Sequence, residues 1–275
     1  MGEKKRATQG LLEQFPYCCL CGGSVKAETR EHIPPKALFD LSHRPDQLVV
    51  PACNRCNSGT RTSDLVTAII ARWGWGLTEP SAAERFDHGR LSKRIAYQAP
   101  EIIEEWRENA GAVSQRQARR HLTKHGVPIP DGARFVTIGP KTLPYLNQFA
   151  HKLTLGLYFE KTRHCFPKSG LFRAFLRLKE DFKGEGLSRE ITGILGSAMT
   201  LVQGSWDTGE QFEYRSDYNH ENGLFMHASR LRNGLFVVGM ASEHPENLPQ
   251  DFIADWISPA ALLGILQDPR YQDKI

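Results

Sequence analysis

Several segments of the chain carry apolar residues at the three- and four-residue spacing of an amphipathic helix. In the longest of them, Phe149, Leu153 and Leu157 recur on one side. In another, Ser114 is expected to cap the start and Gly126 to end the helix. The pattern therefore predicts helices over Leu65–Arg72, Glu101–Asn109, Ser114–His125, Leu143–Phe159 and Leu171–Phe182.

Short apolar runs near the C-terminus alternate with turn residues, which is typical of strands. Asn233-Gly234 separates two of these runs, and Asn-Gly is a strong signal for a tight hairpin turn. Residues 1–15 are expected to form only a short polar lead. The predicted strands are Phe135–Ile138, Gln211–Tyr218, Gly223–Arg230 and Leu235–Ser242.

These elements divide the chain into three segments. Residues 1–76 contain a stretch dense in Cys, Gly, Pro and Asn, which is typical of a small module held together by a metal ion. Residues 77–133 read as a charged helical connector, and residues 134–275 mix helices with antiparallel strands. We therefore predict an α+β protein in which a metal-stapled N-terminal module precedes an α+β domain of unknown role.

Composition places the chain among ordinary globular proteins. Of its 275 residues 40% are hydrophobic, and the formal net charge is +4. This mild excess of positive charge permits a polyanionic partner without demanding one. No apolar run approaches the roughly 20 residues that span a bilayer, and no apolar stretch follows the basic N-terminus. We therefore expect a cytoplasmic protein that does not bind membranes.

Two Cys-x-x-Cys pairs, Cys18/Cys21 and Cys53/Cys56, dominate the N-terminal segment. In a reducing compartment such pairs favour metal binding over disulfides. Four thiolates complete the tetrahedral shell of one structural zinc ion and leave no position for a reactive water. Cys19 is an alternative ligand to Cys18, and a redox role for the pairs is a second interpretation.

Residues between and after the two pairs offer the groups that phosphodiester hydrolysis needs. His32 can take a proton from water near neutral pH, and the adjacent Glu31 can help to hold a hard cation if a turn brings both side chains to one site. Asn57 adds an amide oxygen, which also suits a hard cation. Asp64 is expected to cap the helix that follows it.

This arrangement resembles the HNH endonuclease family. The resemblance lies within residues 18–57 and is strongest where Arg-Glu-His-Ile-Pro-Pro-Lys is followed by Cys-x-x-Cys-Asn. The matching positions are Cys18-x-x-Cys21, Glu31-His32-Ile33-x-Pro35, Leu48 and Cys53-x-x-Cys56-Asn57.

The resemblance implies a ββα-metal, treble-clef-like module that cleaves DNA. His32 would be the general base, and Glu31 and Asn57 would hold a catalytic Mg²⁺ or Mn²⁺. Gln47, which precedes Leu48, falls where the family has its middle asparagine. The usual triplet is therefore changed to His, Gln and Asn in this chain.

Basic residues are the candidates for contacts with the DNA backbone. Four of these basic residues share the predicted helix Ser114–His125, and for them the alternative interpretation is a helix face that is simply exposed to solvent. Two further hypotheses are a zinc-containing nucleic-acid-binding module without catalysis and an interaction protein, for which a homodimer or a regulatory partner is compatible. The candidate nucleic-acid contacts are Arg30, Arg55, Arg61, Arg116, Arg119, Arg120 and Lys124.

Overall fold

The computed structural model describes residues 3–73, 81–108, 111–124, 126, 129, 135–136, 138–178, 193–232 and 234–267. None of the helices found there is both long enough and apolar enough to cross a membrane. The helices are α1 (Glu3–Gln14), α2 (Asn54–Gly59), α3 (Arg61–Ile70), α4 (Ala82–Gln98), α5 (Pro100–Glu108), α6 (Ala112–Lys124), α7 (Leu143–Thr162) and α8 (Gln250–Ile253). The strands are β1 (Thr29–His32), β2 (Val49–Ala52), β3 (Leu171–Leu178), β4 (Val202–Gln203), β5 (Trp206–Asp207), β6 (Phe212–Asn219), β7 (Leu224–Leu231) and β8 (Leu235–Ser242).

The N-terminal part contains an antiparallel pair of strands followed directly by a helix. Strands β1 and β2 pair with Thr29 opposite Ala52 and His32 opposite Val49. Helix α2 begins at Asn54, two residues after the last residue of β2. In the first turn of this helix, the sulfur of Cys53 accepts a hydrogen bond from the backbone N–H of Cys56. This bond satisfies one of the free amides at the helix start and fixes the second cysteine pair at that turn.

The C-terminal part contains a four-stranded antiparallel sheet in the order β3-β8-β7-β6. Strands β7 and β8 form the hairpin that Asn233-Gly234 predicts, with Leu231 opposite Leu235, although Asn233 itself lies outside the described residues. The prediction of a mixed α+β protein with antiparallel strands is confirmed.

Helix α7 lies between the N-terminal part and the sheet. It packs against α3 on one side and against β3 and β8 on the other. The amphipathic pattern predicts the helix but not that both of its sides are covered. Because the helix is enclosed, polar side chains on it are also buried, and Lys152 is one of them.

Buried side chains from all three predicted segments join one continuous core, to which Leu20, Ile102 and Phe225 belong. The boundaries proposed at residues 76 and 133 therefore do not interrupt the core among the described residues. The division into domains stays a prediction.

The predicted helix over Leu171–Phe182 is wrong in its described part, because residues Leu171–Leu178 form strand β3. Their side chains alternate, so that Phe172 and Ala174 are buried while Arg177 is exposed. All eight residues pair with β8. Local apolar spacing in this run fits either structure, and pairing with a neighbouring strand decides between them.

Three smaller predictions also differ from the structure. The described residues of Phe135–Ile138 form no strand. The N–H and the carbonyl of Phe135 hydrogen-bond the side chain of Gln115 instead of a neighbouring strand. Residues 1–15 are not a simple polar lead, because most of them form α1. Helix α6 begins before the expected Ser114 cap.

Candidate metal centre and hydrolytic site

Four cysteines from both pairs meet at one point. The sulfurs of Cys18, Cys21, Cys53 and Cys56 all lie within 4.8 Å of one another. A tetrahedral zinc ion with Zn–S bonds of about 2.3 Å would place its sulfurs roughly 3.8 Å apart, so only small adjustments are needed. The cluster could therefore hold a metal ion, and Cys19 is not a member of it.

The thiols of this cluster interact strongly with one another. A hydrogen bond with Cys21, together with burial, raises the pKa of Cys18 to about 12. Hydrogen bonds from Cys18 and Cys56 lower the pKa of Cys21 to about 2. The crowded sulfurs thus change one another's pKa, and a dication that lets all four become thiolates suits this donor set.

The loop between β1 and β2 is held by the buried side chain of Arg44. Its guanidinium donates hydrogen bonds to the carbonyls of Ile33, Pro34, Pro45 and Leu48. These bonds tie together both ends of the loop that follows His32. No pattern in the sequence had singled out Arg44, because its partners are backbone groups that any residue provides.

Two further contacts fasten this loop to the C-terminal part. The side-chain oxygen of Gln47 accepts a hydrogen bond from the N–H of Val202 at 2.7 Å. The ring of His43 stacks on Trp206 with their centroids 4.8 Å apart. Gln47 therefore anchors the loop to β4, and no hydrogen bond joins it to His32.

His32 lies at the end of β1 and forms a pair with Asp46. Its Nε2 is 2.9 Å from Oδ1 of Asp46, and the other oxygen of Asp46 accepts a hydrogen bond from Arg30, also at 2.9 Å. Among the described residues, Nδ1 of His32 has no hydrogen-bonding partner. The His32 side chain is only 15% exposed, whereas that of Asp46 is 55% exposed.

Burial lowers the pKa of His32 to about 4, and the charges of Arg44 and Lys36 lower it further against the opposing hydrogen bond with Asp46. Partial burial alone would raise the pKa of Asp46, but hydrogen bonds from His32 and Arg30 lower it overall. At neutral pH the imidazole is therefore neutral and donates from Nε2 to an ionised carboxylate. The lone pair then lies on Nδ1, which is the protonation state of a general base.

Glu31 does not share a site with His32. Neighbouring residues of a strand point to opposite faces, and no turn or bulge brings these two together. Glu31 is turned inward, where Nζ of Lys152 lies 2.6 Å from its Oε1. Asp64 contacts the same ammonium from within α3, so it is not the expected helix cap.

Asn57 lies at the predicted place after the second cysteine pair, but its side chain hydrogen-bonds neither His32 nor Glu31. Its Nδ2 donates a hydrogen bond to Oγ1 of Thr29 at 3.0 Å. Among the described residues, the four cysteines are the only group of three or more His, Cys, Asp or Glu side chains close enough to hold a metal ion. The ammonium of Lys152 occupies the carboxylate of Glu31, so Glu31 is not free for the predicted divalent-cation site with Asn57.

The predicted basic residues fall into two sets. Arg30 is paired with Asp46 and mostly buried, while Arg55 and Arg61 are exposed at the starts of α2 and α3. Lys36 is also exposed, on the loop after His32. The four basic residues of α6 are exposed on one helix, namely Arg116, Arg119, Arg120 and Lys124.

Comparison with known proteins adds no family or relative to this geometry. No family model matches the chain, and neither a curated protein nor a solved structure is similar to it. The functional interpretation therefore rests on the residues of the site and on the sequence resemblance.

Proposed function

We propose that the chain is a zinc-stabilised nuclease of HNH type that hydrolyses phosphodiester bonds of DNA, with His32 as the general base. The pair of His32 and Asp46 carries this proposal, since a carboxylate on one imidazole nitrogen leaves the other nitrogen ready to accept a proton. The order of strand, strand and helix beside a four-cysteine cluster supports it further.

In this mechanism Nδ1 of His32 takes a proton from a water molecule as the water oxygen attacks phosphorus. The bond from phosphorus to the 3′ oxygen breaks, and that oxygen takes a proton from solvent. The products are a 5′-phosphate and a 3′-hydroxyl. Asp46 is a positioning residue that keeps the imidazole in the required tautomer and stabilises the charge it gains.

Exposed positive side chains of the N-terminal part suit a phosphate. Lys36, Arg55 and Arg61 are exposed, and the charge of Lys36 already acts on the imidazole. A bound phosphate would offset that charge and raise the basicity of His32 during the reaction. The family's catalytic cation does not fit the residues found here, because Lys152 occupies the carboxylate of Glu31. No step of this mechanism therefore passes through a divalent ion.

The test is cleavage of supercoiled plasmid, single-stranded DNA and RNA by zinc-loaded protein, with and without added Mg²⁺ or Mn²⁺. We expect the wild type to cut plasmid and His32→Ala to lose that activity while keeping its fold and bound metal. His220→Ala is the matched control, because His220 is exposed on the turn between β6 and β7. Equal cleavage by the wild type and His32→Ala would refute the proposal.

A second function is favoured by one specific observation, the ion pair of Lys152 with Glu31 at the position where the resemblance implies a catalytic cation. It is a nucleic-acid-binding module that contains zinc and does not cleave. DNA retention that weakens steeply with salt, together with no cleavage of any substrate under any metal condition, would select this alternative.

A further inference from the structure

The buried face of the β1-β2 hairpin carries a group of charges that the proposed mechanism does not use. Glu31 points from β1, Asp64 from α3 and Lys152 from α7 to one location. The Lys152 side chain is 1% exposed, and each carboxylate side chain is 10% exposed. Three chain segments far apart in the sequence therefore place a cation and two anions inside the core.

Lys152 is saturated by oxygen atoms. Its Nζ lies 2.6 Å from Oε1 of Glu31 and 2.9 and 2.8 Å from the two oxygens of Asp64. An ammonium has three N–H donors, and three acceptors surround it here. Although burial alone would lower the pKa of Lys152, the charges of Asp64 and Glu31 raise it overall, so the side chain keeps its proton.

The charges facing this group come from several elements. With all three side chains ionised, the group has a net charge of one negative unit. Burial raises the pKa of Asp64 to about 7. The charges of Lys152 and of Arg61, at the start of α3, oppose that rise. Arg44 from the loop after β1 also interacts with Glu31. A buried pair of carboxylates thus requires a cation, and α7 provides it.

A divalent ion and this ammonium exclude each other. Mg²⁺ binds oxygen ligands at about 2.0–2.1 Å, which places the ion within the space between the carboxylates that Nζ fills. A hard metal ion also prefers such an arrangement, in which two oxygen-bearing side chains from separate elements surround one cation in a buried site.

We propose that Lys152 is a tethered cation that holds Glu31 and Asp64 in place of a divalent metal ion. That Lys152 replaces a catalytic ion rests on the proposed function, because Glu31 is the position at which the HNH resemblance implies such an ion. Whether Glu31 and Asp64 bind a divalent ion does not depend on nuclease activity. In the native protein Glu31 then binds no Mg²⁺ or Mn²⁺, and removing the ammonium converts the carboxylate pair into a site for such an ion.

The experiment measures Mn²⁺ binding to the full-length, zinc-loaded protein by electron paramagnetic resonance of the free ion. The wild type is compared with Lys152→Met, which keeps most of the side-chain volume and removes the charge. The double variant Glu31→Gln/Lys152→Met is the matched control. We expect Lys152→Met to bind Mn²⁺ about tenfold or more tightly than the wild type, and the double variant to lose that gain.

Two results would overturn the proposal. One is a folded Lys152→Met protein that binds Mn²⁺ no better than the wild type. The other is a wild-type site whose Mn²⁺ binding disappears in Glu31→Gln. If Lys152→Met does not fold, the proposal is tested by comparing the wild type with Glu31→Gln. Equal Mn²⁺ binding by these two proteins supports the proposal. Cleavage is not measured, so failure of the proposed nuclease function leaves this outcome unaffected.

Discussion

Gly156 of α7 should be one of the least replaceable small residues of the chain. A Cβ atom at this position would lie 2.6 Å from Cγ1 and 2.8 Å from Cγ2 of Ile33, the residue after His32. Ile33 is 1% exposed and β-branched, so it has little freedom to move aside. The absence of a side chain at Gly156 therefore allows α7 to approach the hairpin that carries His32.

The expected effect of Gly156→Ala is the sum of two opposing contributions. Alanine is favoured over glycine within a helix by about 1 kcal/mol. Forcing an extra methyl group into a packed core typically costs about 1–3 kcal/mol. Because both contacts are shorter than 3.0 Å, we take the upper part of that range, about 2–3 kcal/mol. The net expectation is a loss of about 1–2 kcal/mol in the free energy of unfolding, measured by urea denaturation of the zinc-loaded protein.

Gly89→Ala is the matched control, because Gly89 lies within α4, is exposed and has no heavy atom within 4 Å of an added Cβ. Only the helix preference acts there, so this variant should gain about 0.5–1 kcal/mol. The two substitutions are thus predicted to change stability in opposite directions. A Gly156→Ala protein at least as stable as the wild type would refute the close packing of α7 on Ile33.

Three other predictions concern the metal, pH and the positioning carboxylate. Cys56→Ser should abolish stoichiometric zinc binding, measured by atomic absorption, and lower the melting temperature, because structural zinc contributes directly to folding. Burial lowers the pKa of His227 to about 3 from 6.5, so the unfolded chain binds a proton that the folded one rejects. Stability should therefore fall as pH drops below about 6.5, by about 1.4 kcal/mol more per pH unit in the wild type than in His227→Gln. Asp46→Asn should slow cleavage by about 100-fold or more without loss of metal, because the amide does not hold the required tautomer of His32.

Each of these predictions has its own contradicting result. Zinc retained at one equivalent by Cys56→Ser would exclude that cysteine as a ligand. Parallel stability curves for the wild type and His227→Gln between pH 6.5 and 4 would mean that His227 is not buried as a neutral group. Full cleavage by Asp46→Asn would remove the positioning role of Asp46.

The sequence is most informative where chemistry depends on local spacing. The two Cys-x-x-Cys pairs predict the four-cysteine cluster, because two residues between thiols is the spacing that one metal ion requires. Strand β8 and the hairpin turn before it follow from apolar runs around Asn233-Gly234. Helix α7 follows from its repeating leucines and phenylalanines.

The sequence is least informative where a partner comes from a distant segment. Glu31 and His32 are neighbours in the chain, but strand geometry separates them, and Lys152 lies 121 residues from Glu31. A lysine among leucines on a helix reads as solvent-facing, and only the packing of α7 against α3 turns it inward. Asp46 carries no motif of its own, so its pairing with His32 emerges only when the loop is folded.

The most direct test of the proposed hydrolysis is single-turnover cleavage of end-labelled DNA by His32→Ala with and without added imidazole. The account predicts a rate at least about 100-fold below that of the wild type, since a positioned base contributes about that much. Added imidazole should restore part of the loss by occupying the space beside Asp46 and accepting the proton there. A variant that cleaves at the wild-type rate without imidazole would contradict the account.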